Sequence, residues 1–247
     1  MSGTVVITGA SSGIGAEIAR EFSKHGHFVV LLGRSLEKLQ AVQKTLSGKS
    51  SLLAFDLKNL TNHADRLLEL LEKNPPAEIL INNAGVYSQA SFTKTTTETW
   101  LEQFTVNLLG PVQITQLLWP IFVKNKKGSI LNISSSLGIK PAANTSAYSA
   151  MKAAMNNWTI TLAQEGAAYN IRANVICPGI VDTPIHGFHA MEAAEKTRVT
   201  AQLAKLQMLS FIGEPSDIAK ASYFLASDES KWTTASLLSV DGGIGLK

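Results

Sequence analysis

Short apolar runs and amphipathic stretches take turns along the whole chain. Residues 4–8, Thr-Val-Val-Ile-Thr, are mostly apolar and β-branched, as a buried strand requires. Ile14, Ile18, Ala19 and Phe22 then recur every one to four positions, the pattern of one helix face. The alternation repeats. Strand-type runs occupy 27–32, 51–55, 78–81, 128–133, 171–176 and 237–240, and helical spacing fills 36–46, 60–72, 100–124, 147–169 and 214–226. Ser35 caps the 36–46 helix and Pro75-Pro76 ends the 60–72 helix. Gly110-Pro111 falls inside the 100–124 helix, where a proline removes a ladder bond and should kink it. Strand alternating with helix specifies a parallel sheet covered on both faces, because parallel neighbours need crossover connections. Residues 184–211 carry only a weak helical pattern (Met191, Ala194, Val199, Leu203, Leu206) and are expected to form a lid.

Chemistry collects in the turns, since ligands of open parallel sheets bind beyond the carboxyl ends of the strands. After the first strand comes Gly9-Ala10-Ser11-Ser12-Gly13-Ile14-Gly15. Glycines let the backbone approach a phosphate, and the helix that follows presents free N–H groups at its positive end. The spacing is Gly9-xxx-Gly13-x-Gly15, not G-x-G-x-x-G, but its place between strand and helix reads as a dinucleotide site. The second strand ends at Gly33-Arg34, where an acidic residue would bind the ribose 2′-hydroxyl of NAD. Arg34 instead offers a fork for a 2′-phosphate, so NADP is favoured over NAD. Asp56 ends the third strand, and Asn82-Asn83-Ala84-Gly85 follows the fourth, a composition suited to irregular backbone beside a ligand.

Tyr148 and Lys152 stand four apart on an expected helix and so share a face. A free phenol, with a pKa of about 10, is too weak an acid to work near neutrality. An ammonium about 4 Å away, at an effective dielectric of about 20, favours the phenolate by roughly 4 kcal/mol. That is a lowering of roughly 3 pKa units, enough to make a general acid/base.

Taken together and in this order, Thr8-Gly9-xxx-Gly13-x-Gly15, Asn82-Asn83-Ala84-Gly85 and Tyr148-xxx-Lys152 resemble the short-chain dehydrogenase/reductase family, in its compact single-domain form, over residues 4–243. The resemblance implies a Rossmann-like doubly wound α/β fold. Its parallel sheet has about seven strands in the order 3-2-1-4-5-6-7, in one domain over 1–247. It implies a catalytic set of Asn107, Ser135, Tyr148 and Lys152. Asn107 would distort its helix and help hold a water near the lysine. Ser135 lies thirteen residues before Tyr148, with Ser134 the alternative if the register slips by one. Implied cofactor-binding residues are Gly9, Ser11, Ser12, Gly13, Ile14, Gly15, Arg34, Asp56, Leu57, Asn83, Ala84 and Gly85. Tyr148 and Lys152 join them, as do Pro178, Gly179, Ile180 and Thr183 from the turn after the sixth strand. The 100–124 and 147–169 helices pair across a subunit interface in the family, which implies a homo-oligomer, tetramer or dimer. The implied reaction is NADPH-dependent reduction of a ketone or 3-oxoacyl carbonyl to a secondary alcohol, or its reverse. The alternative is a catalytically idle NADP-binding shell. A 3-oxoacyl-carrier-protein reductase would need cations near its entrance for an acidic carrier, and Lys124, Lys126, Lys127 and Lys140 are candidates.

Composition narrows the partners. At 45% hydrophobic and 17% charged the chain is globular, and a net charge of +3 gives no footprint for nucleic acid. One cysteine, Cys177, excludes an internal disulfide and suits a reducing cytoplasm; it reads as a small buried hydrophobe. No apolar run is expected to approach the roughly 20 residues of a membrane span, and no signal peptide precedes the first strand. His186 and His189 have helical spacing but no evident third ligand, so no metal is expected.

Overall fold

β1 (Thr4–Thr8), β2 (Phe28–Gly33), β3 (Ser50–Ala54), β4 (Ala77–Asn82), β5 (Gly128–Ile133), β6 (Ile171–Pro178) and β7 (Leu237–Val240) form one parallel sheet in a computed structural model. The structure describes residues 3–188 and 191–247. The strand order is β3-β2-β1-β4-β5-β6-β7, as expected. The order reverses between β1 and β4, which opens a crevice at their carboxyl ends.

Two apolar layers flank the sheet, and successive residues of one strand feed opposite layers. Val5 and Ile7 of β1 pack with Ile18 and Phe22 of α1 (Gly13–Lys24), Leu39 of α2 (Leu36–Gln43) and Ile218 of α8 (Pro215–Ala226). Val6 joins Leu67 of α3 (Ala64–Glu72) and Ile114, Leu118 and Phe122 of α5 (Gly110–Asn125). Each fully buried side chain of this size contributes about 1.5–3 kcal/mol. α6 (Ser146–Gly166) lies on the α5 side, contributing Leu162 and Ala163. In the expected lid, α7 (Ala193–Ala204) follows a 3₁₀ turn at Pro184–His186.

The 100–124 helix departs from expectation. α4 (Thr97–Phe104) runs into a π-helical turn, Thr105–Leu109, and then into α5. The irregularity precedes the proline. Pro111 sits in the first turn of α5, where a missing N–H costs least. Because the π turn joins the helices without a break, Thr97–Asn125 runs for 29 residues and contains an 18-residue window of mean hydropathy 1.3. Contrary to the sequence expectation, that is long and apolar enough to cross a bilayer. It packs against the sheet through Ile114, Leu118 and Phe122.

A buried polar seam ties α5 and α6 to the sheet below the crevice. Asn82 and Asn132, register partners in β4 and β5, are joined by Asn82 Nδ2 donating to Asn132 Oδ1 at 2.8 Å. Asn82 Nδ2 also donates to Thr115 Oγ1 of α5 (3.2 Å), and Asn132 Nδ2 donates to Thr159 Oγ1 of α6 (2.7 Å). Buried polar groups deprived of partners are costly. Asn132→Leu should therefore lower unfolding stability by roughly 2–4 kcal/mol, read from the urea midpoint. A change under about 1 kcal/mol would mean the seam is not a structural tie.

Candidate active site

The crevice is stitched shut at its base by Thr8. Its hydroxyl accepts from the backbone N–H of both Asn83 and Ala84 at 3.0 Å and donates to Ile81 O at 3.3 Å. Asn83 Nδ2 returns two bonds, to Thr8 O (3.0 Å) and Gly9 O (3.2 Å). This leaves no room for side chains. A Cβ on Gly9, whose φ is +65°, would come within 2.8 Å of Ala84 Cα, and one on Gly15 would strike the Asn83 amide and the Gly9 carbonyl. The opening turn of α1 is uncapped by Ser12, so its N–H groups remain available to an anion. Gly13 (φ +53°) faces Thr183 and Pro184, about 3.4 Å from where its Cβ would lie, so the turn after β6 closes the other side. Ser11 Oγ lies 3.4 Å from the Cβ position of Gly33, beside the exposed Arg34. These residues fit a dinucleotide pyrophosphate and its adenosine end.

Three expected cofactor residues carry structural duties. Asp56 Oδ1 accepts from Lys58 N (3.0 Å) and caps the 3₁₀ turn Leu57–His63. The Leu57 side chain packs against Gly110 and joins the apolar layer on that face of the sheet. Gly179 is pressed against the Asp241 backbone, which sets the turn that carries Ile180.

Ser135, Tyr148 and Lys152 meet at the β5 end of the crevice and are nearly sealed from solvent, with exposures of 8%, 8% and 3%. Ser134 Oγ donates instead to Lys152 O (3.2 Å), so Ser135 is the serine left to face the phenol. Lys152 Nζ donates to Ile133 O at 2.8 Å and lies 5.7 Å from the centre of the Tyr148 ring. The expected lowering of the phenol is not what this geometry produces. Burial pushes Tyr148 up to about 12, with the Ser135 hydroxyl pulling the other way, and burial pushes Lys152 down to about 8. The ammonium is held by the Ile133 carbonyl, 5.7 Å from the ring centre, and desolvation outweighs attraction. Cys177 is fully buried behind them, its thiol pushed up to about 11 by burial, in keeping with a space-filling role.

Asn107 is the pivot of the π turn. Its Oδ1 accepts from Val86 N and its Nδ2 donates to Val86 O, both at 2.9 Å. A Cβ on Gly85 would lie 3.0 Å from Asn107 Oδ1 and 3.8 Å from Lys152 Nζ, so the two side chains flank the same glycine. Pro111, four residues on, has no N–H to give the Asn107 carbonyl. Tyr87 stands edge-on to Tyr148 at 4.9 Å, a residue the sequence did not single out. The His186 ring lies 6.2 Å beyond Tyr87 and stacks on Phe188 at 5.2 Å, bringing the start of the lid over the site. His189 lies outside the described residues. Of the lysines expected at the entrance, Lys124, Lys126 and Lys127 sit at the opposite end of the sheet. Lys127 is bound there to Glu78 (2.9 Å) and Asp228 (3.3 Å), because α5 delivers the chain to the start of β5, not its end. Only Lys140 follows the Ser135 turn.

A doubly wound sheet, a glycine turn at its switch point and a buried Ser-Tyr-Lys group define a nicotinamide-dependent oxidoreductase. Residues 3–193 match the short chain dehydrogenase family profile. The chain is 35% identical over 243 residues to the 3-oxoacyl-(acyl-carrier-protein) reductase FabG of Thermotoga maritima, covering 97% of this chain and 96% of that one. It is 33% identical over 241 residues to an L-xylulose reductase of Caenorhabditis elegans, covering 97% and 94%. A crystal structure of a 3-oxoacyl (acyl-carrier-protein) reductase from Agrobacterium tumefaciens C58 with NADP bound superposes with a TM-score of 0.90. It is 30% identical and covers 98% of this chain and 93% of that one. The protein belongs to the short-chain dehydrogenase family, and its chemistry is carbonyl–alcohol interconversion with a nicotinamide cofactor.

The buried lysine sets a pH signature. Below about pH 8 it is protonated both folded and unfolded; between there and the ordinary lysine value of 10.5 only the unfolded chain keeps the proton. Stability from this group therefore rises with pH across that window. The difference in urea-unfolding free energy, wild type minus Lys152→Met, should grow from pH 8 to 10. A flat difference would show that Lys152 titrates as an exposed lysine does.

Proposed function

We propose that this protein reduces a ketone carbonyl to a secondary alcohol with NADPH. It would act in the cytoplasm as one catalytic domain over 1–247, with 184–211 as the substrate lid. The observation that carries the reading is the convergence of Ser135, Tyr148 and Lys152, shielded from water, on the crevice beside the glycine turn. When bound, the reduced dinucleotide supplies the hydride. Gly9, Ser11, Ser12, Gly13, Ile14 and Gly15 hold its pyrophosphate with Thr183. Asn83, Ala84, Gly85, Pro178, Gly179 and Ile180 bound the nicotinamide half, and Asp56 and Leu57 the adenine. Tyr148 gives its proton to the carbonyl oxygen as that oxygen gains charge. An alkoxide is a far stronger base than a phenolate, so a phenol kept protonated by burial still serves as the acid. Ser135 donates to the same oxygen. Lys152 spends one N–H on Ile133 O and keeps two for the nicotinamide ribose. Asn107, together with a water, returns protons to the site.

Arg34 and Ser11 together support NADPH over NADH, as does the NADP-bound relative. The resemblance to 3-oxoacyl reductases makes a 3-oxoacyl thioester the first substrate to test, ahead of free ketones. Exposed Leu101 and Phe104 on α4, and Phe224, Leu237 and Trp232 beside the open edge of β7, supply apolar surface for a homodimer or homotetramer. A single buried free thiol supports a reducing compartment.

NADPH consumption with acetoacetyl thioesters and a ketone panel tests the reading; no consumption with any of them would end it. Tyr148→Phe should lose at least about a thousandfold in kcat while its NADPH affinity, read by nicotinamide fluorescence, stays within about twofold. Arg34→Ala should raise KM for NADPH about tenfold or more and leave KM for NADH nearly unchanged. Equal effects on both cofactors would remove the 2′-phosphate argument.

A further inference from the structure

Gln103 is an amide where an apolar side chain is the ordinary choice. It lies on α4, one turn before Asn107, with 1% of its surface exposed. Its Oε1 accepts from Asn107 Nδ2 at 2.5 Å, and its Nε2 donates to Ser88 Oγ at 3.1 Å. Asn107 grips both peptide groups of Val86. Residues 83–90 have no helix or strand to fix them. The segment is instead pinned at Val86 and Ser88 by two side chains of one helix face, and Tyr87 lies between the pins. That ring stands 4.9 Å from Tyr148 at an interplanar angle of 87°.

We propose that Gln103 is a positioning residue for the reaction. By tying Ser88 to Asn107 it fixes Tyr87 as the wall against which the carbonyl substrate is seated beside Tyr148. The inference rests on the assignment of Tyr148 as the proton donor. A leucine at 103 would fill similar space but leave Asn107 Nδ2 with one partner and Ser88 Oγ with none among the described residues, loosening the hold on the backbone at 86–88. The cofactor cradle would be untouched, since Thr8 and Asn83 build it separately.

Gln103→Leu, Ser88→Ala and the double variant test the proposal. The readouts are carbonyl kinetics, NADPH affinity by fluorescence and amide exchange of the 83–91 peptide. Gln103→Leu should lose about tenfold or more in kcat/KM for the carbonyl, with NADPH affinity within about twofold. Exchange at 86–88 should quicken about tenfold or more. Ser88→Ala should lose less in the same sense, and nothing further once Gln103 is gone, as members of one network do. If Gln103→Leu fails to fold, Ser88→Ala decides through exchange and kcat/KM. Unchanged exchange with kcat/KM within about twofold, additive losses, or a parallel fall in NADPH affinity would each overturn the proposal. A wild-type protein that reduces no carbonyl would sink the assigned reaction, while exchange at 86–88 would still judge the tie.

Discussion

The hydroxyl of Thr8 holds the two halves of the sheet together where the order of strands reverses. It accepts two backbone N–H groups from the segment leaving β4, and that segment's Asn83 returns bonds to the backbone leaving β1. Main-chain polar groups at a strand end would otherwise face an open crevice without partners. Satisfying them across the gap makes the crevice floor rigid and brings Gly9, Gly15 and Ala84 to distances that a Cβ would violate. The glycines are thus dictated by a polar constraint one layer beneath them.

Dryness governs the opposite wall. Ser135, Tyr148 and Lys152 are packed under Tyr87 and the start of the lid, so the protein's first influence on both titrating groups is to disfavour charge. A phenol kept protonated and a lysine held by a carbonyl suit a site that delivers a proton when an oxygen becomes basic. The same exclusion of water strengthens every dipole aimed at the reacting oxygen.

The layer arrangement and the glycine turn are legible because each depends on local pattern: short β-branched runs alternating with helical spacing, and glycine next to a helix start; the strand order is legible only through family likeness. The meeting of Ser135 with Tyr148 was legible only through family likeness, since thirteen intervening residues have no periodicity that predicts it. The irregularity of the 100–124 helix lies just before Pro111, around Asn107, the residue that family likeness implies distorts this helix; Pro120 sits inside α5. The behaviour of the Tyr148–Lys152 pair was misjudged because four-residue spacing gives a shared face but neither depth nor the competing carbonyl of Ile133. Charge alone makes Lys124, Lys126 and Lys127 entrance candidates, but they precede β5 and so lie at the end of the sheet away from the crevice. Gln103 and Tyr87 left no sequence signal beyond a polar residue on an amphipathic helix and an aromatic in a loop.

The single π-helical turn also constrains how this chain can change in length. An α-helix rotates by about 100° per residue, so removing one residue from Thr105–Leu109 to restore regular winding would swivel all of α4 by that angle about its axis. Asn107 and the preceding turn would then aim at different neighbours, and the loop after β4 would lose its moorings. Single-residue insertions and deletions should consequently be rarer in this stretch of homologous chains than in the turns at the far end of the sheet.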